Sequence, residues 1–258
     1  MKFGFTTSLG EVEKLRLAKE LGYDYAELNF GQLVGTGDED FERMFDDVVS
    51  IGLPTLCCNC FLGGDVNIYS DTAEAKAVNE AWLVKGGERA ARLGVKKVVF
   101  GSGGKKSVPD GMDRTAAYKM LCDFTAHAGE VLARYGITLV IEPLRSAESN
   151  IINTVADGVR LARDCGNPDV KCLGDIYHMV QMGESFDIVP EYAGLLSHCH
   201  ISRPTANGRT YMSNVNEFDY AGFIAMMKAG GCDTCSIEAG CSDFASEAPA
   251  ALAVLRQL

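Results

Sequence analysis

Short apolar runs alternate with amphipathic stretches from one end of the chain to the other. Eight runs have the length and the β-branched or aromatic content of strands: Lys2 to Thr6, Tyr25 to Asn29, Pro54 to Cys58, Lys97 to Phe100, Thr138 to Ile141, Lys171 to Asp175, Ser197 to Ile201 and Thr234 to Glu238. Between them, "EVEKLRLAKELG", "DEDFERMFDDVVSIG", "AEAKAVNEAWLVKGGERAARLG" and "DRTAAYKMLCDFTAHAGEVLARYG" repeat apolar residues at helical spacing, and several close on Gly in the C-terminal capping position. "FDYAGFIAMMKAGG" and "SEAPAALAVLRQL" continue the pattern, while "FDIVPEYAGLL" carries it only weakly. No linker divides the chain, so residues 1–258 read as one domain. Eight βα repeats in about 250 residues predict the α/β class and a (β/α)8 TIM barrel. A doubly wound sheet usually has fewer strands and a glycine-rich phosphate turn after the first, where this chain has "TTSLGE".

Composition narrows the partners. The net charge of -11 comes from 35 acidic against 24 basic residues, and no basic run forms a nucleic-acid footprint. No apolar stretch reaches a membrane span, and "MKFGFTTSLGEVEKL" lacks the apolar core of a signal peptide, so the expectation is a cytoplasmic protein with no membrane partner. The ten cysteines lie scattered through strands and helices, which favours reduced, mostly buried thiols. A four-cysteine zinc site would need "CCNC" and "CDTC" to meet, and neither has the usual knuckle form.

Candidate chemistry appears where the late strands end. The fifth ends at Glu142, the sixth at Asp175, the seventh at His200 and the eighth at Glu238. In a barrel these C-terminal ends converge around one axis and build the active site. Singly, each polar residue marks only where a strand leaves the core. Together, three carboxylates this close would repel one another unless a cation lay among them. Three oxygens and one imidazole suit one divalent metal ion, Mn²⁺, Mg²⁺ or Co²⁺ first and Zn²⁺ after them.

Other polar residues have two readings each. His178 follows Asp175 by three and is either a donor to a substrate hydroxyl or a capping His; Glu148 either accepts from substrate hydroxyls or charges a helix N-terminus. His198 shares a strand face with His200, as a second site residue or as a satisfied core histidine, and His127, in mid-helix, reads as structural. Arg203 and Arg209 lie in "SRPTANGRTYM", a loop expected to hang over the site. "GSGGKKSVPDG" lacks the Walker spacing and reads as a flexible loop, and Lys96 and Lys97 stand at a strand's start, the wrong end for a Schiff base.

The motifs "IEPLRSAESN", "GDIYHM", "HCHIS" and "IEAG" resemble the xylose isomerase-like barrel superfamily of sugar isomerases and epimerases, in particular the branch similar to D-tagatose and D-psicose 3-epimerases. The resemblance spans the chain as eight βα units, and its specific part is the C-terminal half; "CCNCFLGGD" and "VVFGSGGKKSVPDG" depart from it. It implies metal ligands at Glu142, Asp175, His200 and Glu238, with Glu142 and Glu238 doubling as the acid/base pair of an epimerisation through a cis-enediolate. It also implies substrate contacts at Glu148, His178 and Arg209, with Arg203 the alternative arginine, a small carbohydrate substrate, and a homodimer or homotetramer. A sugar dehydratase on the same scaffold and a non-catalytic metal- and sugar-binding protein are the rival readings. A carboxylate available to each face of the substrate favours catalysis. An apurinic endonuclease would gather several zinc ions on many histidines, whereas this chain has four His and an acidic balance.

Overall fold

In the computed structural model, which describes residues 1–258, eight parallel strands close into a barrel. They are β1 (Lys2–Thr7), β2 (Tyr25–Asn29), β3 (Thr55–Asn59), β4 (Lys97–Phe100), β5 (Thr138–Ile141), β6 (Val170–Asp175), β7 (Leu196–Ile201) and, after a hairpin of β8 (Arg203–Thr205) and β9 (Gly208–Thr210), β10 (Thr234–Ile237). Around the barrel β1 pairs with β2 and with β10, and β10 pairs with β7. Each strand lies within a residue or two of its predicted position. The hairpin is a correction: "SRPTANGRTYM" is an antiparallel ribbon, with Arg203 opposite Thr210 and Thr205 opposite Gly208, where a loop was expected.

The helices are α1 (Val12–Leu21), α2 (Phe30–Gly35), α3 (Asp38–Ile51), α4 (Ala73–Arg92), α5 (Gly103–Lys106), α6 (Arg114–Ala133), α7 (Val155–Asp164), α8 (Ile176–Met182), α9 (Tyr220–Ala229) and α10 (Phe244–Leu255). Gly22 and Gly52 end α1 and α3 in the left-handed region, at φ 87° and 69°, where a Cβ would be strained. "FDIVPEYAGLL" holds only a 3-10 turn at Pro190–Tyr192; the crossover helix α8 starts directly after β6 instead. The loop expected to be flexible after β4 carries α5, whose Lys106 is wholly buried. No helix is long and apolar enough to cross a membrane.

The main core lies between sheet and helices, a cluster of 64 buried residues. Each fully buried Val, Leu, Ile or Phe side chain in it contributes roughly 1.5–3 kcal/mol relative to exposure. A second apolar group, Val99, Val140 and Leu173 from three adjacent strands, stands apart from that shell. All ten cysteines are free and six of them are buried. Lys97, at the start of β4, donates to the carbonyl of Ser197 and to Thr234 and pairs with Asp233.

Candidate metal centre and adjoining cleft

The barrel brings Glu142, Asp175, His200 and Glu238 together, with one donor atom of each within 4.8 Å of all the others. Glu142 lies just beyond β5; its N–H donates to the carbonyl of Phe100 and its own carbonyl accepts from Nζ of Lys106 at 2.5 Å. Asp175 closes β6 and caps α8: its Oδ1 accepts from the N–H groups of Tyr177 and His178 at 2.7 and 3.2 Å. Its Oδ2 is left to face the cluster, 3.7 Å from Nδ1 of His200. That nitrogen also lies 3.1 Å from Oε1 of Glu142 and 3.0 Å from Oε2 of Glu238. Glu238, just past β10, is held by Asn59, whose Nδ2 donates to Oε1 at 3.0 Å.

A cation suits this donor set. Oε2 of Glu238 is a buried oxygen that meets hydrogen-bonding geometry with no group, although Arg209 Nη1 lies 2.9 Å away. Burial opposes charge on His200, yet Glu238, Glu27 and Glu142 together hold its imidazole well above the ordinary range. Burial raises Asp175, against the pull of Arg209 and His178, while His200 and Arg209 overcome burial and hold Glu238 well below the usual carboxylate range. Three carboxylates thus compete for the positive charge of one imidazole and one guanidinium. A divalent ion held between them would supply the missing positive charge.

The structure adds Glu27 of β2, which the sequence did not single out. Fully buried, it accepts from Nε2 of His200 at 3.0 Å and lies 2.9 Å from Nε2 of His198. A ligating histidine is commonly oriented in this way by a carboxylate on its other nitrogen. Burial disfavours charge on Glu27, but His200 and His198 hold its carboxyl far below the usual range. His198 is buried beside it, with Nδ1 2.9 Å from Oγ1 of Thr234, so it is a satisfied core histidine and not a ligand of the cluster. Cys57 completes a buried group with Glu27 and His198, and burial pushes its thiol up.

A cleft of about 520 Å³ opens over the cluster, and Glu148, His178 and Arg209 line it with Glu142 and Glu238. Glu148 accepts from Nε of Arg145 at 2.7 Å. His178 is buried, and its Nδ1 accepts from the N–H of Arg145 at 3.3 Å, which leaves Nε2 to carry the proton of a neutral ring. The hairpin aims Arg209 inward, where Nη1 lies 2.7 Å from Oδ2 of Asp175 and the guanidinium rides over the ring of Tyr177. Arg203, on the opposite strand of the hairpin, is exposed, pairs with Glu217 at 3.5 Å and does not line the cleft. His127 lies on the outside of the barrel, 2.5 Å from Glu80. Lys106, in α5, and Glu27, inside β2, are the site residues that strand ends alone do not reveal; Asn59 closes β3 and is a strand-end residue that the sequence reading passed over. For Glu27 the available signal was a carboxylate inside a strand together with two histidines, at 198 and 200, that each needed a partner.

The chain is similar to known sugar epimerases. The chain is 26% identical over 229 residues to 3-dehydro-D-guloside 4-epimerase of Escherichia coli (strain K12), covering 84% of this chain and 82% of that protein. It is also 26% identical over 179 residues to D-psicose 3-epimerase of Agrobacterium fabrum, covering 64% and 62% of the two. Among solved structures, 3-keto-D-glucoside 4-epimerase from E. coli superposes with a TM-score of 0.77 at 24% identity, over 100% of both chains. Residues 15–258 match the model of the xylose isomerase-like TIM barrel, and the chain belongs to that family.

Proposed function

We propose that the protein is a divalent-metal-dependent epimerase of a keto sugar. The observation that carries this reading is the placement of Glu142 and Glu238. They come from β5 and β10, which β6 and β7 separate in the barrel, yet each puts an oxygen about equally close to Nδ1 of His200, 3.1 and 3.0 Å away. Two carboxylates that converge from different sides on one point can serve the two faces of a planar intermediate.

A metal held by Glu142, Asp175, His200 and Glu238 would act as a Lewis acid, lowering the cost of negative charge on the sugar oxygens. The chain's own residues do the rest. One of Glu142 and Glu238, as the carboxylate, takes the proton from the carbon next to the ketone, and the other, entering the step as the protonated acid, gives its proton to the opposite face of the enediolate, after which exchange with solvent resets both. Asn59 fixes the carboxylate of Glu238, and Lys106 fixes the backbone of Glu142. His178 donates to a sugar hydroxyl, Glu148 accepts from another, and Arg209 binds an oxygen beside the reacting carbon. The three curated relatives are named for epimerisation of 3-dehydro-D-guloside, D-psicose and L-ribulose, which supports a sugar ketone as substrate. Lys105 lines the cleft with its Nζ already donating to the carbonyls of Gly64 and Val66, an arrangement that favours an uncharged sugar over a phosphorylated one.

The test is exchange of the α-proton in deuterated water across a panel of keto sugars, with product stereochemistry read by NMR after the metal content has been measured. Glu142→Gln and Glu238→Gln should each abolish exchange while circular dichroism stays unaltered. Exchange that persists in both variants sinks the assignment, and loss of water from the sugar would point to the lyase reading.

A further inference from the structure

A second cavity of about 560 Å³ adjoins the metal cleft, and the two share Cys60 and Leu62 as a common wall. It lies over the ends of β2 and β3, where the N–H of Gly31 donates to the carbonyl of Cys60 at 3.1 Å and ties the two loops together. Cys60 itself is exposed, with its backbone in the left-handed region at φ 51°. Both cavities fall within the size of small-ligand pockets, roughly 300–1,000 Å³. Together they exceed what one hexose fills.

The lining chemistry is that of carbohydrate recognition. Trp82 presents a part-buried indole, anchored by its N–H on the carbonyl of Phe61 at 2.9 Å. Around it stand Asn29, Gln32 and Thr36. Asn29 and Gln32 spend their side-chain oxygens on the backbone N–H groups of Gln32 and Leu9, but their amide NH₂ groups donate to no protein acceptor. Gly63 and Gly64 lie so close to the indole that a Cβ would come within 2.9 and 3.1 Å of its ring carbons. At Gly35, by contrast, a Cβ would meet nothing within 4 Å, so the cavity is open there. Gly63 and Gly64 thus pack on the benzo ring, and the indole surface that still lines the cavity, beside free amide donors, matches a sugar ring, whose C–H surface packs on the aromatic while its hydroxyls accept.

We propose that this second cavity is a sugar subsite, and that the substrate is a keto sugar in glycosidic linkage to a second sugar ring. The ketone ring occupies the metal cleft and the second ring lies against Trp82, with the linkage passing Cys60. The catalytic half of this proposal rests on the epimerase reading of the metal centre; the binding half does not.

Trp82 is the only tryptophan in the chain, so its fluorescence reports on this cavity alone. Titration of the full-length protein with cellobiose, maltose and trehalose, against glucose as control, should give a saturable change for at least one disaccharide at about ten-fold lower concentration than glucose. Gly35→Leu fills open space without a left-handed backbone to strain, and it should remove that change at unaltered melting temperature. The second arm compares proton exchange on a disaccharide carrying a ring ketone with exchange on the methyl glycoside of the same ketone ring. Gly35→Leu should raise KM for the disaccharide about ten-fold and leave the methyl glycoside unaffected. No saturable fluorescence change with any disaccharide, or a change that survives Gly35→Leu, overturns the subsite. Disaccharide binding with no exchange on any keto sugar keeps the subsite and overturns the epimerase reading.

Discussion

Glu27 and His200 face each other across the barrel interior, Oε1 to Nε2 at 3.0 Å, from strands that β1 and β10 separate. The same carboxylate also holds His198, so one buried charge orients two imidazoles. Glu27→Gln keeps the shape and removes the charge. Metal affinity, measured by competition with a chelator, should fall by about 10–100-fold, the usual cost of losing such an orienting partner. Unchanged affinity would mean that His200 is held by packing alone.

The two hairpin arginines should separate cleanly. Arg209→Ala removes the cation beside Asp175 and Glu238, and kcat/KM should fall on the order of 100-fold, as when a preorganised donor is lost from a catalytic site. Arg203→Ala removes an exposed pair with Glu217, and a change of no more than about 1 kcal/mol in stability is expected, with kinetics unaltered. Equal kinetic effects from the two variants would show that the hairpin acts as a unit.

Gly101 is small for the sake of Glu142. A Cβ there would come within 2.1 Å of Oε2 of Glu142. Because the clash is with the end of a side chain, Gly101→Ala should fold while displacing the carboxylate, and kcat should drop about 100-fold, as expected for misplacement on the order of 1 Å. The measurement is turnover alongside thermal melting; wild-type turnover at unchanged stability would contradict the argument.

Glu184 supplies a pH dependence remote from the cluster. Its Oε2 accepts from the N–H of Val155 at 2.9 Å, its Oε1 is buried without a partner, and burial pushes the carboxyl up to about 7. A carboxyl raised on folding keeps its proton while the unfolded chain loses its own. The stability it contributes is therefore complete below the unfolded pKa of about 4.3 and is lost as pH rises through about 7. The melting temperature of Glu184→Gln, relative to wild type, should climb between about pH 5 and pH 8. A difference that stays flat across that window would place the carboxyl at its ordinary value.

Much of this site was legible because a parallel barrel writes its chemistry at fixed places. Leu139, Val140 and Ile141 are buried strand residues, and Glu142 falls where the strand ends, so an apolar run followed by a carboxylate marks a candidate ligand position. Residues that act from inside a strand or from a loop follow no such rule. Glu27 sits within β2, where alternation alone gives a polar residue no special meaning, and only the needs of His198 and His200 reveal it. Lys106 belongs to a glycine- and lysine-rich run that reads as surface, yet the tertiary structure buries it against the carbonyl of Glu142 and the ring of Phe100. The β8–β9 hairpin turns at Ala206 and Asn207, with Gly208 opening β9, and the Asn-Gly signal in this run was read as part of a loop.

Asp175 spends one oxygen on the first turn of α8 and turns the other toward the metal site. This double duty restricts which side chains the position tolerates. Asparagine could still cap the helix but would bring no negative charge to the cluster. Glutamate would keep the charge but, one methylene longer, would carry its oxygens away from the N–H groups of Tyr177 and His178. Because His178 rides on the helix that Asp175 caps, a change at this one position shifts a proposed ligand and a proposed substrate contact together, which makes it among the least substitutable positions on the rim.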